Sequence, residues 1–103
     1  PKFEDQTVAM RLALIGSIKD EILNTTELAM DLLKFLTENY NGILNERYGI
    51  TESDDTLQML NDIAFNRKFL LKGNELDIDK ASRILLDEFR NGKLGRISLE
   101  KNI

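Results

Sequence analysis

Histidine, cysteine and tryptophan are absent from the 103 residues, and proline occurs once, at Pro1. Without cysteine there are no disulfides, thiolate metal sites, iron–sulfur ligands or thiol nucleophiles. Without histidine there is no Ser-His-Asp triad, no imidazole metal site and no side chain with an unperturbed pKa near neutrality. No apolar run approaches the ~20 residues that span a bilayer; the longest, such as Leu12 to Ile15, have the length of a helix core segment. Lys2 and Phe3 lead into acidic residues, so no secretory signal is expected. The expected setting is cytoplasmic, with no membrane partner. The chain opens on Pro1 rather than methionine and is expected to be a piece of a longer protein.

What is present is the balance of a globular domain, with 42% hydrophobic and 31% charged residues. The net charge of −4 argues against a protein that coats nucleic acid over its whole surface. Its distribution is uneven. Residues 1–64 carry 5 Lys+Arg against 12 Asp+Glu, a net of −7, whereas residues 65–103 carry 9 against 6, a net of +3. Such an asymmetry can orient a domain on a phosphate surface.

The apolar spacing is helical throughout, with no strand-length alternation before the tail. Asp5 is placed to cap a helix from about Gln6 to Ile15, and Ile18 to Leu23 reads as a further short turn. Asn24-Thr25-Thr26-Glu27 has the spacing of a capping box, and opens a helix that reaches about Tyr40 and stops at Asn41-Gly42. A short helix covers Ile43 to Tyr48 and ends at Gly49. Ser53, Asp54 or Asp55 caps the next, with Leu57, Leu60, Ile63 and Ala64 apolar, running on through Phe69 to Lys72-Gly73. Asp77 caps the last, with Ile78, Ala81, Leu85 and Phe89 on one face, and Asn91-Gly92 ends it. The fold class is therefore all-α, a single-domain bundle of about five helices (residues 1–103) with an irregular C-terminal tail.

Several groups of residues invite a chemical reading that their spacing does not sustain. Gly16-Ser17-Ile18-Lys19 lacks the second glycine and the preceding strand of a phosphate loop. Glu75, Asp77 and Asp79 alternate like calcium ligands, but Lys80 and Ala81 stand in the middle of the loop that calcium requires, and helix capping accounts for the same carboxylates. Asp20-Glu21 and Asp54-Asp55 are adjacent pairs, which on a helix do not face one another. No metal, cofactor or catalytic residue is expected in this chain. Arg67, Lys68 and Lys72 stand around Phe65 and Phe69, and Arg90, Lys93 and Arg96 are spaced by Gly92 and Gly95. Phe65 and Phe69 are expected in the core rather than as base-stacking surfaces. The helix dipole accounts for Arg90, but Lys93 and Arg96 lie beyond the helix, so these six cations are the candidate phosphate contacts.

Several segments together carry a family likeness. They are Pro1-Lys2-Phe3-Glu4-Asp5-Gln6, Gly16 to Ile22, Glu46-Arg47-Tyr48-Gly49, Lys72-Gly73-Asn74-Glu75-Leu76-Asp77 with Ala81, and the ending from Phe89 to Glu100. In these the chain resembles the C-terminal domain of the ribosome biogenesis GTPase A family, also called YlqF. The resemblance implies an ANTAR-like helical fold. It also implies a parent protein with an N-terminal, circularly permuted GTP-binding domain, lacking from this chain, that uses GTP and Mg²⁺ in late assembly of the large ribosomal subunit in bacteria. On this resemblance the domain docks on ribosomal RNA of the large subunit; the contact residues Arg67, Lys68, Lys72, Arg90, Lys93 and Arg96 are inferred from charge alone. The alternative is a protein-interaction domain that packs on its own GTPase domain or a ribosomal protein through the acidic front, with Phe3 and Tyr40 as exposed aromatics.

Overall fold

Asn24 begins the first of the described helices as its spacing predicts. In a computed structural model, which describes residues 24–95, its side-chain oxygen accepts from the Glu27 amide at 3.0 Å. This satisfies one of the orphan donors of the first turn. Helix α1 (Thr25–Asn39) buries Leu28, Ala29, Leu32, Leu33, Phe35 and Leu36, a stripe wide enough to face two neighbours. Its last turn is closed by the Tyr40 amide donating to the Leu36 carbonyl at 2.8 Å and by the Asn39 side chain donating to the Phe35 carbonyl at 3.0 Å. The segments expected to form helices over 6–15 and 18–23, and the tail from Arg96 onward, lie outside the described residues.

Helix α2 (Ile43–Tyr48) has six residues, too few to persist without tertiary support. Glu52 provides it. One or both carboxylate oxygens accept from the amides of Gly42 (2.9 and 3.0 Å), Leu44 (2.9 Å) and Asn45 (3.2 Å), and from the Asn41 side chain (3.3 Å). An anion thus sits on the positive end of the helix and satisfies its free N–H groups together. Replacing Glu52 with alanine is expected to cost about 1–2 kcal/mol, lowering the melting temperature by roughly 5–10 °C. Thermal unfolding followed by circular dichroism measures this, and an unchanged midpoint would mean that water replaces the carboxylate without loss. At the other end Gly49 adopts φ 69°, a left-handed stop that leaves its carbonyl and that of Tyr48 to accept from the Asn66 side chain (3.3 and 3.0 Å).

Of the three cap candidates for helix α3 (Thr56–Arg67), Asp55 takes the role and accepts from the Gln58 amide at 3.0 Å. Met59, Leu60, Ile63 and Ala64 form its buried face. The apolar spacing predicts a helix running on through Phe69, whereas it ends at Arg67. Lys68 turns left-handed at φ 61°, and the Phe69 amide donates back to the Ala64 carbonyl at 2.8 Å. The backbone then finds its partners in a small loop rather than in more helix. Leu70 and Leu76 form an antiparallel bridge around Gly73 and Asn74, and the Asp77 amide donates to the Phe69 carbonyl at 2.8 Å. That closure delivers Asp77 to its place as a cap, accepting from the Lys80 amide at 3.0 Å.

Helix α4 (Ile78–Arg90) buries Ala81, Ser82, Leu85 and Leu86, while Ile78 and Phe89 are half-buried against the same core. Its longest interface is with α1, and α3 packs beside it. Ser82 is fully buried at that interface, its hydroxyl donating to the Ile78 carbonyl at 2.9 Å with Thr26 Oγ1 at 3.5 Å across the gap. The helix stops at Asn91 and Gly92 as expected, and Leu94 folds back into the core. The described residues thus form four helices around one apolar core, and the all-α class holds. Among them, no helix is long and apolar enough to cross a membrane.

Candidate functional site

The C-terminal ends of α2, α3 and α4 meet at one carboxylate. Glu88, on the last turn of α4, accepts from the Tyr48 hydroxyl at 2.8 Å, from Arg47 Nε at 3.3 Å, and from Arg67 Nη1 and Nη2 at 3.3 and 3.5 Å. The Arg67 guanidinium also lies 5.0 Å from the centre of the Tyr48 ring. Burial alone would raise the Glu88 carboxyl, but the hydrogen bonds from Tyr48, Arg47 and Arg67 outweigh it and hold the group below its ordinary value. Burial, and then the hydrogen bond to Glu88, push the Tyr48 phenol well above its own. This is a structural joint: one carboxylate accepts from three side chains, and no buried side-chain polar atom among the described residues lacks a partner.

The joint sorts the six cations singled out in the sequence. Arg67 is committed to Glu88 and Tyr48, and Arg90 to Asp87 one turn earlier on its own helix. Lys68, Lys72 and Lys93 make no ion pair among the described residues, and all three are exposed. Lys68 and Lys93 leave the bundle at the end where the three helices converge, just past α3 and α4, and the Lys93 amide donates to the Glu88 carbonyl at 2.9 Å. Lys72 stands apart, in the loop that follows α3. Arg96 lies outside the described residues.

Several residues stand where the reasoning from sequence does not put them. Arg47 belongs by position to the acidic front, yet the fold places it at the basic end. There it lines, with Ile43, Glu46, Lys93, Leu94 and Gly95, an open cleft of about 340 Å³. A signal for it exists, since it is the last-turn cation of α2 just as Arg90 is of α4. Phe65, expected in the core, is 69% exposed. The buried face at 59, 60, 63 and 64 continues to 67, which leaves 65 off the stripe. Phe69 does pack against the core, with Lys80 Nζ 4.8 Å from its ring centre. Leu57 is likewise half-exposed rather than core. Tyr40, expected as an exposed aromatic, is half-buried against the core with its ring centre 6.2 Å from that of Phe35, and Phe3 lies outside the described residues.

No protein-family model matches the chain, but individual proteins do. A ribosome biogenesis GTPase A from Bacillus cereus is 44% identical over 101 residues, covering 97% of this chain and 34% of that protein. One from Bacillus pumilus is 39% identical over 102 residues, covering 98% of this chain and 36% of its own length. A probable ribosome biogenesis GTPase A from Mycoplasma genitalium is 29% identical over 101 residues, covering 98% and 36% respectively. The chain therefore spans about a third of the length of the curated relatives it matches.

Proposed function

This chain belongs to the ribosome biogenesis GTPase A family, corresponding to its C-terminal domain, and from that premise we propose that it docks a GTPase on ribosomal RNA during late assembly of the large subunit. The observation that carries the reading is the set of exposed cations without an ion pair among the described residues, Lys68, Lys72 and Lys93, on a chain whose net charge is −4. Cations already matched to carboxylates orient helices. Those left without a partner are the ones available to phosphate. Arg67 and Arg90 act one step back, holding the helix ends from which Lys68 and Lys93 project. On this reading GTP, Mg²⁺ and hydrolysis belong to the rest of a longer cytoplasmic protein, and this domain sets its position.

The test is binding of the whole protein to large-subunit precursor particles as salt is varied. Replacing Lys68, Lys72 and Lys93 with glutamine is expected to weaken binding about tenfold at low salt and to make the log K against log salt slope shallower by about two to three, one phosphate's share per lysine. The three side chains carry no internal ion pairs, so the melting temperature should stay unchanged. Unaltered affinity and slope would remove these lysines from the contact surface.

One set of observations favours a second reading, a surface that packs against protein. Leu57, Leu70 and Leu71 are about half exposed, at 50%, 49% and 48%. Binding that is insensitive to salt and lost when these leucines become serine would favour it.

A further inference from the structure

Four consecutive residues at the end of α3 divide into two pairs. The Asn66 side chain donates to the carbonyls of Tyr48 and Gly49 at the end of α2, and Arg67 reaches Glu88 of α4 and the Tyr48 ring, so both are engaged by neighbouring elements. Phe65 and Lys68, one turn apart, are exposed with no such side-chain partner among the described residues, and the Lys68 amide donates to the Phe65 carbonyl at 3.2 Å. Phe65 is the sole exposed aromatic among the described residues: Phe35 and Tyr48 are buried, and Tyr40, Phe69 and Phe89 are half-buried.

Lys68 is unusual in its own right. The five described glycines all adopt positive φ, and the other described residues that do so are Lys68 and Asn74. Asparagine tolerates this region through its short polar side chain, but lysine does not favour it, and glycine is the usual helix stop there. The position therefore carries a cation against the preference of its backbone, and that cation has no carboxylate partner among the described residues. Strain of this kind is commonly stored where a side chain has work to do.

We propose that Phe65 and Lys68 together take one unpaired nucleotide of RNA, the base stacked on the Phe65 ring and the adjoining phosphate paired with the Lys68 ammonium. The proposal rests on the RNA-docking reading above and narrows it from duplex backbone to a bulged or single-stranded nucleotide. A nucleotide supplies a flat π face and a negative charge in one unit, as the pair requires. A purely apolar protein partner would cover the ring while desolvating Lys68 without a counter-charge, which is costly. In paired RNA the base faces are already stacked, so the ring has nothing to accept.

The experiment measures binding of the 103-residue chain to two fluorescein-labelled RNA hairpins, alike except that one carries a single bulged adenosine. The bulged hairpin is expected to bind about tenfold more tightly, the worth of one base stacked on an aromatic ring. Phe65→Ala should reduce its affinity to that of the paired hairpin, whose own binding stays unchanged. Phe65→Trp should retain the preference and Phe65→Leu should lose it. Lys68→Gly should weaken both hairpins severalfold while the melting temperature holds or rises, a combination that a structural role for Lys68 would not produce. If Phe65→Ala leaves both affinities as they were, or lowers both equally, the stacking proposal is overturned while RNA docking stands. Stacking is equally overturned if Phe65→Leu binds like the parent chain, because the ring is then an apolar protein-type contact. If neither hairpin binds at low salt, the docking reading fails and takes this proposal with it.

Discussion

Leu85→Ala is expected to destabilise the domain by about 3 kcal/mol, enough to lower the melting temperature by roughly 12–20 °C in a domain of this size. Leu85 has no exposed surface and lies on the buried face of α4, the helix that packs against both α1 and α3. Removing the branched end of the side chain forfeits its transfer free energy and leaves a cavity. Helices held on both sides cannot close that space without moving several neighbours. Since the total stability of small domains is about 5–15 kcal/mol, one such loss brings the protein close to partial unfolding at physiological temperature. Leu85→Met, which nearly conserves volume, should cost less than about 1.5 kcal/mol. Urea titration of the three proteins at fixed pH gives both values. A loss below about 1 kcal/mol for the alanine variant would show that the core around α4 is not closely packed at this level.

Glu88→Ala is expected to cost about 2 kcal/mol, mostly through Tyr48. That residue is 4% exposed, and its hydroxyl would lose its acceptor without gaining ready access to water. Arg47 and Arg67 contribute less, because their side chains keep about a third of their surface in solvent, 35% and 32%. The source of the loss can be isolated: in a Tyr48→Phe background the same substitution should cost distinctly less, since the orphaned hydroxyl is gone.

The pH dependence of the joint has a definite sign. The Glu88 carboxyl lies lower in the folded protein than its ordinary value of 4.5, so its stabilisation is complete above about that pH and is lost as pH falls through the folded value. The Tyr48 phenol lies higher in the folded protein than its ordinary 10.0, so its contribution is complete below that pH and is lost as pH rises further. Glu88→Gln should therefore flatten the acid limb of stability below about pH 4.5. It should also lessen the alkaline loss, because the carboxylate no longer helps hold the phenol neutral. An acid limb identical to that of the parent chain would mean that other carboxylates dominate acid unfolding.

Residues that act over one turn are legible in the order of the chain. Asn24, Asp55 and Asp77 cap the helices expected of them, Gly49 and Asn91-Gly92 stop the ones before them, and the spacing of Leu28, Leu32, Phe35 and Leu36 marks a buried face. Each rests on a hydrogen bond or a periodicity closed within a few residues, so the local chain carries the whole signal. At Phe65 two local signals disagree. Its apolar ring points to the core, while the helical period at 59, 60, 63 and 64 places it outside, and position prevails over residue type.

Other features could be settled only by folding. Glu52 reaches back ten residues to hold α2, and Glu88 draws in Arg47 and Tyr48 from about forty residues away. The helical period of α4 already puts Glu88 at the edge of its apolar face and Asp87 on the opposite side, but it does not tell which groups Glu88 meets there. Those are set by how α4 docks on α2 and α3. Arg83 and Arg90 find carboxylates about one turn away on their own helix, but for Arg47 and Arg67 the same docking decides, because a cation has no partner until a carboxylate is brought within reach. By itself the sequence determined an all-α domain of one family and confined its excess positive charge to residues 65–103. Tertiary structure decided that Arg67 gives its charge to a junction of helices and that Lys68, Lys72 and Lys93 meet no carboxylate among the described residues, because ion pairing falls off within a few ångströms while the sequence records only order along the chain.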